Sequence, residues 1–193
     1  MKLLLRPFPQ EGPYVAIDFE TSATSGARAC AVGLARMENR RLVATWYSLI
    51  RPPSRAVMFT RVHGLTWQDL KDAPTFVEIW PRIAAFIRGA RYLIAHNAGF
   101  DSSVLGDCCA AYGLPRPRKP FLCTLRGARR GLALASYSLS AVCAHLDVPL
   151  NHHHAGSDAV ACGLVHSHLR RLGVSDEQML LRPTQTNSRR KSA

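Results

Sequence analysis

The chain has 193 residues, of which 47% are hydrophobic and 20% charged, a composition typical of a folded globular domain. No apolar run is long enough to span a membrane, and residues 1–13 lack the apolar core of a signal peptide, so we expect a cytoplasmic protein. The 25 basic and 13 acidic residues leave a net charge of +12. This surplus favours a polyanionic partner, most simply nucleic acid, although solubility or an acidic membrane surface would also account for it.

The first predicted element is a buried strand near residues 14–19, within the stretch YVAIDFET. Since strand side chains alternate between faces, Asp18 and Glu20 point in the same direction. Neighbouring carboxylates that lose hydration repel each other, and a divalent cation with oxygen ligands would compensate them. The simpler alternative is that the strand ends at Ile17 and both acids are hydrated.

The rest of the chain predicts four more strands interleaved with helices, and therefore an α/β fold with a five-stranded mixed sheet flanked by helices. The predicted strands cover 29–36, 41–50, 91–96 and 119–123. Residues 97–101 form a predicted turn, and the helices cover 67–71, 75–88, about 102–112, 124–130, 138–146 and 158–172. Pro81 should kink or shorten its helix. We expect a lead-in at 1–13, one domain at 14–173, and a basic, flexible tail at 174–193.

Six cysteines are spread along the chain without a Cys-x-x-Cys pair, several of them in apolar runs. This pattern predicts reduced, buried thiols rather than a disulfide framework or a zinc site.

Acids recur where a sheet of this kind gathers a ligand site. Asp18 and Glu20 end the first strand, Asp101 follows the fourth, and Asp158 begins the last helix. Four acids from separate elements are difficult to bury together without metal, so the pattern predicts two divalent ions, Mg²⁺ or Mn²⁺. A neutral histidine nearby could accept the proton of an attacking water.

Three motifs, in this order, resemble those of one nuclease superfamily: DFET at 18–21, HNAGFD at 96–101 and HHAGSD at 153–158. They are similar to the exonuclease motifs of the DEDDh branch of the DnaQ-like superfamily. That group includes the proofreading epsilon subunit of bacterial DNA polymerase III, ribonuclease T and oligoribonuclease. The resemblance runs from about residue 14 to residue 172.

The resemblance implies a ribonuclease H-like fold and 3′→5′ hydrolysis of nucleic acid to nucleoside monophosphates. It implies that Asp18, Glu20 and Asp158 hold one metal ion, and that Asp18 and Asp101 hold the second. The general base of the family lies five positions before the last acid, which selects His153.

The histidine assignment leaves an alternative open, because His152, His153 and His154 are adjacent. On a regular helix, His154 and Asp158 share a face, so His153 can serve only if the segment before Asp158 is a loop or an irregular turn. Gly156 makes such a segment plausible. A zinc site in the histidine run would lack cysteine or acid partners at ligand spacing.

Four further residues are candidate substrate contacts: Thr21 through its backbone N–H, His63 within a family-like HGL segment, Asn97 and Phe100. The alternatives are a strand-end turn for Thr21, a loop histidine for His63 and a core position for Phe100. His96 reads more simply as a hydrogen-bonded histidine at a strand end. After Glu20 the family often has Thr-Thr-Gly, and the departure here leaves the details of a 3′-end pocket open.

The favoured interpretation is an active exonuclease on single-stranded 3′ ends, with DNA preferred because of the likeness to epsilon-type proteins. An exoribonuclease, a catalytically silent nucleic-acid-binding module and an endonuclease of the same fold are the alternatives. The silent module predicts a missing acid or base, and none is missing.

A polymerase or sliding-clamp partner is also considered, since residues 178–181 (QMLL) faintly resemble a clamp-binding peptide, although a helix end explains them more simply. The basic tail should add salt-sensitive affinity.

Overall fold

The structure, a computed structural model, describes residues 12–181. Its centre is a five-stranded mixed sheet with the strand order β3-β2-β1-β4-β5. The strands are β1 (Tyr14–Thr21), β2 (Ala29–Glu38), β3 (Arg41–Leu49), β4 (Tyr92–Ala95) and β5 (Phe121–Cys123). Strands β1, β2 and β3 form an antiparallel meander, whereas β4 and β5 run parallel to β1. The predicted fold class is therefore confirmed.

Eight helices lie within the described residues. They are α1 (Thr60–His63), α2 (Trp67–Leu70), α3 (Phe76–Ile87), α4 (Gly99–Ala111), α5 (Thr124–Gly131), α6 (Leu139–Leu146), α7 (Ala155–Arg171) and α8 (Asp176–Met179). The short helices α1 and α8 were not expected from the sequence, because four residues are too few to show a helical period.

The two faces of β1 are buried by different helices. Val15 and Ile17 belong to a cluster that contains the apolar stripes of α3 and α4. Tyr14 and Ala16 belong to a second cluster, with residues of α5, α6 and α7. Because side chains alternate along a strand, Asp18 and Glu20 continue the face that α7 covers.

Two helices differ from their predicted form. Helix α3 runs through Pro81 to Ile87 instead of stopping there, and its start carries a Thr75–Glu78 capping box. Pro81 has no N–H to donate to the carbonyl of Val77 one turn earlier. Both residues lie on the exposed side of the helix, so water can hydrogen-bond to that carbonyl. Helix α7 begins at Ala155 rather than at 158, which places Asp158 in its first turn.

The prediction of a flexible tail from residue 174 is wrong for residues 174–181. Val174 and Met179 are buried in the second cluster. Leu180 pairs with Leu122 of β5, and the N–H of Leu181 donates to the carbonyl of Phe121 at 2.8 Å. The proposed clamp-like peptide at 178–181 is therefore part of the fold. The predicted lead-in at 1–11 and the basic stretch at 182–193 lie outside the described residues.

All six cysteines are free and buried, as predicted: Cys30, Cys108, Cys109, Cys123, Cys143 and Cys162. Across residues 12–181, no helix combines the length and apolar character needed to cross a bilayer.

Asp176 fastens the last described segment to the start of β1. Its Oδ2 accepts a hydrogen bond from the Tyr14 hydroxyl at 2.9 Å, and its Oδ1 accepts one from His166 Nε2 at 3.2 Å. Burial raises the pKa of Asp176, but these hydrogen bonds and the charges of His166 and Arg170 outweigh burial and leave it below its ordinary value.

We expect Asp176→Asn to destabilise the protein at pH 7 by about 2 kcal/mol, because it removes a buried charge that accepts several hydrogen bonds. A carboxyl whose pKa is lowered by folding stabilises the native state above its unfolded pKa and loses that effect as the pH falls. The difference from wild type in urea unfolding should therefore shrink as the pH drops below 4. Asp72→Asn removes the same charge from a side chain that is 84% exposed and should change nothing; an equal loss there would contradict this role.

Candidate active site

The four predicted acids converge at the carboxyl end of β1. Carboxylate oxygens of Asp18, Glu20 and Asp158 lie within 4.8 Å of one another. Asp101, in the first turn of α4, approaches from the opposite face of the sheet, and its Oδ1 accepts a hydrogen bond from the N–H of Phe19 at 3.1 Å. A register shift between Glu20 and Thr21 marks a bulge at this point of β1.

Burial and mutual repulsion both raise the pKa values of these carboxyls. Burial, followed by the charges of Asp101, Asp158 and Glu20, raises the pKa of Asp18 well above its ordinary value. Burial raises the pKa of Asp101 to about 8, and burial with the charge of Asp158 raises that of Glu20 to about 7. Asp18 therefore couples electrostatically to the other three acids.

The donor set fits hard divalent cations. Asp158 is 4% exposed, and its Oδ1 is a buried oxygen without a hydrogen-bond partner in the described part of the chain. An orphaned buried carboxylate oxygen beside two more carboxylates is what a Mg²⁺ or Mn²⁺ ligand set provides, because these ions prefer oxygen ligands and compensate the repulsion.

A glycine in β2 brings Asp158 to this site. Gly33 pairs with Asp18 across the sheet, and a Cβ added to it would lie 2.0 Å from the carbonyl oxygen of Ala155. Only a residue without a side chain lets the first turn of α7 approach the sheet this closely. Farther along, Gly163 packs against Met37 and Ala16 in the same way.

Gly33→Ala should reduce kcat by about 10- to 100-fold and destabilise the protein by about 1–3 kcal/mol, because backbone atoms of α7 must move and carry Asp158 with them. Steady-state kinetics and thermal unfolding measure the two effects. Gly12→Ala is the matched control, since its new Cβ meets only ordinary contacts with Arg91 at 3.6 Å. Unchanged kcat in Gly33→Ala would show that the close approach does not set the site.

The histidine run lies just outside α7, in an irregular turn. His153 has a left-handed φ of 67°, and its backbone N–H donates to Asp158 Oδ2 at 3.1 Å. The sequence condition for His153, a non-helical segment before Asp158, is met. The left-handed residue is His153 itself, whereas Gly156 is already helical.

The three histidines occupy different positions. His154 caps α7, since its Nδ1 accepts a hydrogen bond from the N–H of Ser157, and its ring stacks on Tyr47. The rings of His152 and His153 stack with centroids 3.8 Å apart. Burial and then the charge of His153 lower the pKa of His63, whereas the charge of His152 acts with burial on the pKa of His96. His153 is thus close enough to His63 to interact electrostatically, whereas His152 interacts with His96 and its Nδ1 lies 3.3 Å from Asp158 Oδ2.

The prediction that the histidine run lacks an acid partner for a metal ion is wrong. Ring nitrogens of His152 and His153 lie within 4.8 Å of an Asp158 oxygen, so an acid partner is within reach after all. Sequence spacing did not reveal it, because the left-handed turn folds the histidines back over the helix start. Asp158 also belongs to the cluster of carboxylates with Asp18 and Glu20, so the two candidate metal sites share this ligand.

A cavity of about 390 Å³ opens beside the acids, on the β2 side of the site. Its walls are mostly apolar and come from the end of β1, the loop before β2, the region of α1 and the start of α4. The lining residues are Phe19, Glu20, Thr21, Ala23, Thr24, Arg28, Phe59, Val62, His63 and Phe100. Phe100 is 42% exposed, which rules out its alternative placement in the core.

His63 lies in the cavity wall with both ring nitrogens engaged by the protein. Its Nδ1 accepts from the N–H of Leu65 at 3.1 Å, so Nε2 carries the proton and donates to the carbonyl of Thr21 at 3.1 Å. His96 is likewise satisfied, by Thr124 Oγ1 and the carbonyl of Tyr137 at 2.9 Å each. Asn97 does not line the cavity and occupies a left-handed turn before α4.

Three residues of the site were missed by sequence reasoning. Phe59 and Arg28 line the cavity, and Arg28 is 7% exposed with its guanidinium donating to Asp107 Oδ2 at 2.5 Å. Gly33 looks like any strand glycine. None of these carries a local signal, because each role depends on an element that packs from elsewhere in the chain.

The sequence model of the RNase_T family, described as an exonuclease, matches residues 15–165. The chain belongs to the RNase_T exonuclease family, and the predicted membership of the DnaQ-like 3′→5′ exonuclease superfamily is confirmed.

Two curated relatives are PolC-type DNA polymerase III proteins. The one from Caldanaerobacter subterraneus subsp. tengcongensis is 32% identical over 156 residues, and the one from Thermotoga maritima is 30% identical over 155 residues. These alignments cover 78% and 77% of this chain but 11% of each relative, so the chain spans about a tenth of their length.

Solved structures share the fold at lower identity. Exonuclease X in complex with 5′ overhanging duplex DNA superimposes with a TM-score of 0.70 at 23% identity, over 86% of this chain and 96% of the other. The nuclease domain of 3′hExo, a DEDDh family member bound to rAMP, gives 0.68 at 14% identity, over 88% and 96%.

Proposed function

We propose that this chain is a metal-dependent 3′→5′ exonuclease that removes nucleoside monophosphates from single-stranded 3′ ends, with DNA as the favoured substrate. The observation that carries the proposal is the convergence of Asp18, Glu20, Asp101 and Asp158 beside a mostly apolar cavity of nucleotide size. The preference for DNA is supported by the relatives, which are DNA polymerases by name.

The carboxylates would divide between two cations. Asp18, Glu20 and Asp158, with oxygens within 4.8 Å of one another, would hold one ion, and Asp18 with Asp101 would hold the second. When bound, such ions acidify an attacking water and offset the charge that develops on the phosphate. Mg²⁺ and Mn²⁺ suit this all-oxygen set.

The protein's own groups would place the substrate and move the proton. The terminal nucleoside would enter the cavity, with Phe100 and Phe59 offering apolar surface to the base and Thr21 its backbone N–H. His63 would act indirectly, because its bonds to Leu65 and Thr21 fix the cavity wall. His153, held beside Asp158 on the cavity side, would accept the proton of the attacking water.

The decisive assay uses 5′-end-labelled single-stranded DNA and RNA with Mg²⁺, Mn²⁺ or a chelator. A ladder that shortens from the 3′ end and disappears with the chelator is the expected result. Cleavage at internal positions, or no cleavage with any metal, would contradict the proposal. A ladder on RNA alone would establish the alternative, an exoribonuclease, for which the rAMP-bound neighbour provides a precedent in fold. A polymerase partner and a cytoplasmic location stay predictions.

A further inference from the structure

Three arginines form one stripe along α5. Arg126, Arg129 and Arg130 stand at positions i, i+3 and i+4, whereas Thr124, Gly127 and Ala128 of the same helix are buried. Gly127 faces Leu169 and Met179, so the buried side of α5 packs on α7 and α8. Arg129 and Arg130 are exposed and Arg126 is partly exposed. We call these three residues the arginine stripe.

The arginine stripe carries charge that the described protein does not neutralise. Within residues 12–181, no ion pair with a carboxylate involves any of the three guanidinium groups. Three uncompensated cations on one helix face cost self-repulsion, and a row of anions would remove that cost.

The strand order places this stripe across the site from the cavity. The cavity lies toward β2, and the acids stand at the end of β1. On the other side come β4 and β5, which end level with each other at Ala95 and Cys123, and α5 starts at the next residue. Thr124 Oγ1 contacts His96 at 2.9 Å, which ties the start of α5 to the rim of the site.

The path of a bound strand can be considered from these positions. If the terminal nucleoside occupies the cavity and the scissile phosphate lies at the acids, a strand that continues across the site passes the ends of β4 and β5. Burial, and after it the charges of His152 and Arg129, lower the pKa of His96 at this rim. Nucleic-acid backbones are held by such arginines independently of sequence.

We infer that Arg126, Arg129 and Arg130 bind backbone phosphates of the substrate strand upstream of the scissile bond. This inference rests on the proposed function and adds a second contact region to it. The stripe binds and orients long substrates without taking part in the chemistry, so its contribution depends on substrate length.

The test compares Arg129→Ala/Arg130→Ala with wild type on a dinucleotide and on an oligonucleotide of about twelve nucleotides. For the oligonucleotide, KM should rise on the order of tenfold with kcat unchanged. For the dinucleotide, which has no upstream phosphates, both constants should stay the same. Arg41→Ala/Arg88→Ala is the charge-matched control: both residues are exposed at the opposite end of the sheet, and this variant should behave as wild type.

Binding measurements keep the inference separate from the proposed function. Binding of a labelled oligonucleotide is measured by fluorescence anisotropy on the Asp18→Asn background, with and without Arg129→Ala/Arg130→Ala. The slope of log Kd against log salt concentration should decrease by about 1.4 in the arginine variant, about 0.7 for each lost phosphate contact. Four results would each overturn the inference. The first two are an unchanged salt slope and an equal rise in KM for the dinucleotide. The others are an equal effect of the control pair and competition by polyglutamate that is as strong as competition by DNA. If the wild type does not cleave the oligonucleotide but the salt slope changes as expected, only the proposed function is overturned.

Discussion

Asp18→Asn should abolish hydrolysis and, in the absence of metal, make the protein more stable. Asp18 is repelled by Asp101, Asp158 and Glu20, and it is the acid that the two proposed ions share. Its loss removes a ligand from both ions, and kcat should fall by at least about 10³-fold. The same substitution removes a buried, repelled charge, and Tm in EDTA should rise by about 2–4 °C for each 1 kcal/mol relieved.

Chain-length assays and differential scanning calorimetry measure the two effects. Asp72→Asn removes an equal charge from a side chain that is 84% exposed, and it should leave activity and Tm unchanged. Mn²⁺ should raise the Tm of wild type and do so less for Asp18→Asn. A variant that retains activity, or loses stability in EDTA, would contradict the assignment.

The pH dependence of the metal-free protein follows from the same charges. Folding raises the pKa of Asp101 to about 8 and that of Glu20 to about 7, chiefly by burial. A carboxyl with a raised native pKa stabilises the fold below its unfolded pKa, near 4, and that effect is lost as the pH rises through the native pKa. In EDTA, Tm should therefore fall between about pH 5 and pH 8, and bound metal should flatten this fall.

His153→Ala should lower kcat by about 10²–10⁴-fold with little change in KM or Tm, because it removes the proton acceptor and leaves the helix cap in place. His154→Ala should act differently. Its ring caps α7 through the N–H of Ser157, so its loss should cost about 1 kcal/mol of stability and lower kcat less.

His154→Asn and His152→Ala complete the histidine series. Asparagine is a good N-cap and should restore the Tm that His154→Ala loses. His152→Ala should reduce kcat less than His153→Ala does, because it removes a contact to Asp158 Oδ2 at 3.3 Å and leaves the proposed proton acceptor in place. If His152→Ala or His154→Ala shows the largest loss of kcat, that residue is the general base instead of His153.

The sheet and the acids were predictable because their signals are local. A buried run ending in Asp18 and Glu20, and polar turns after the fourth strand, mark strand ends without knowledge of the fold. The first turn of α7 was placed three residues late because the His-rich segment has no apolar period. Residues 174–181 were misread because their polar composition hides two long-range anchors, Asp176 and Met179.

The cavity was not predictable in detail, because its walls meet only after folding. Phe59 and Arg28 lie in separate segments, and each looks like an ordinary loop residue in the sequence, whereas Phe100 could be singled out because it lies within a motif. His63 lies in the cavity wall, and its role as a substrate contact stays a prediction. Its two hydrogen bonds to the backbone could not be inferred from a local pattern.

The pairing of Leu180 with Leu122 also covers part of one edge strand of the sheet, β5. Residues 180 and 181 occupy hydrogen-bonding positions along β5, so intermolecular strand addition there is blocked at this point. The opposite margin, β3, has no such cover in the described chain and presents Leu42, Val43 and Tyr47 to solvent. Charged substitutions that protect the purified protein from aggregation are therefore best placed on β3.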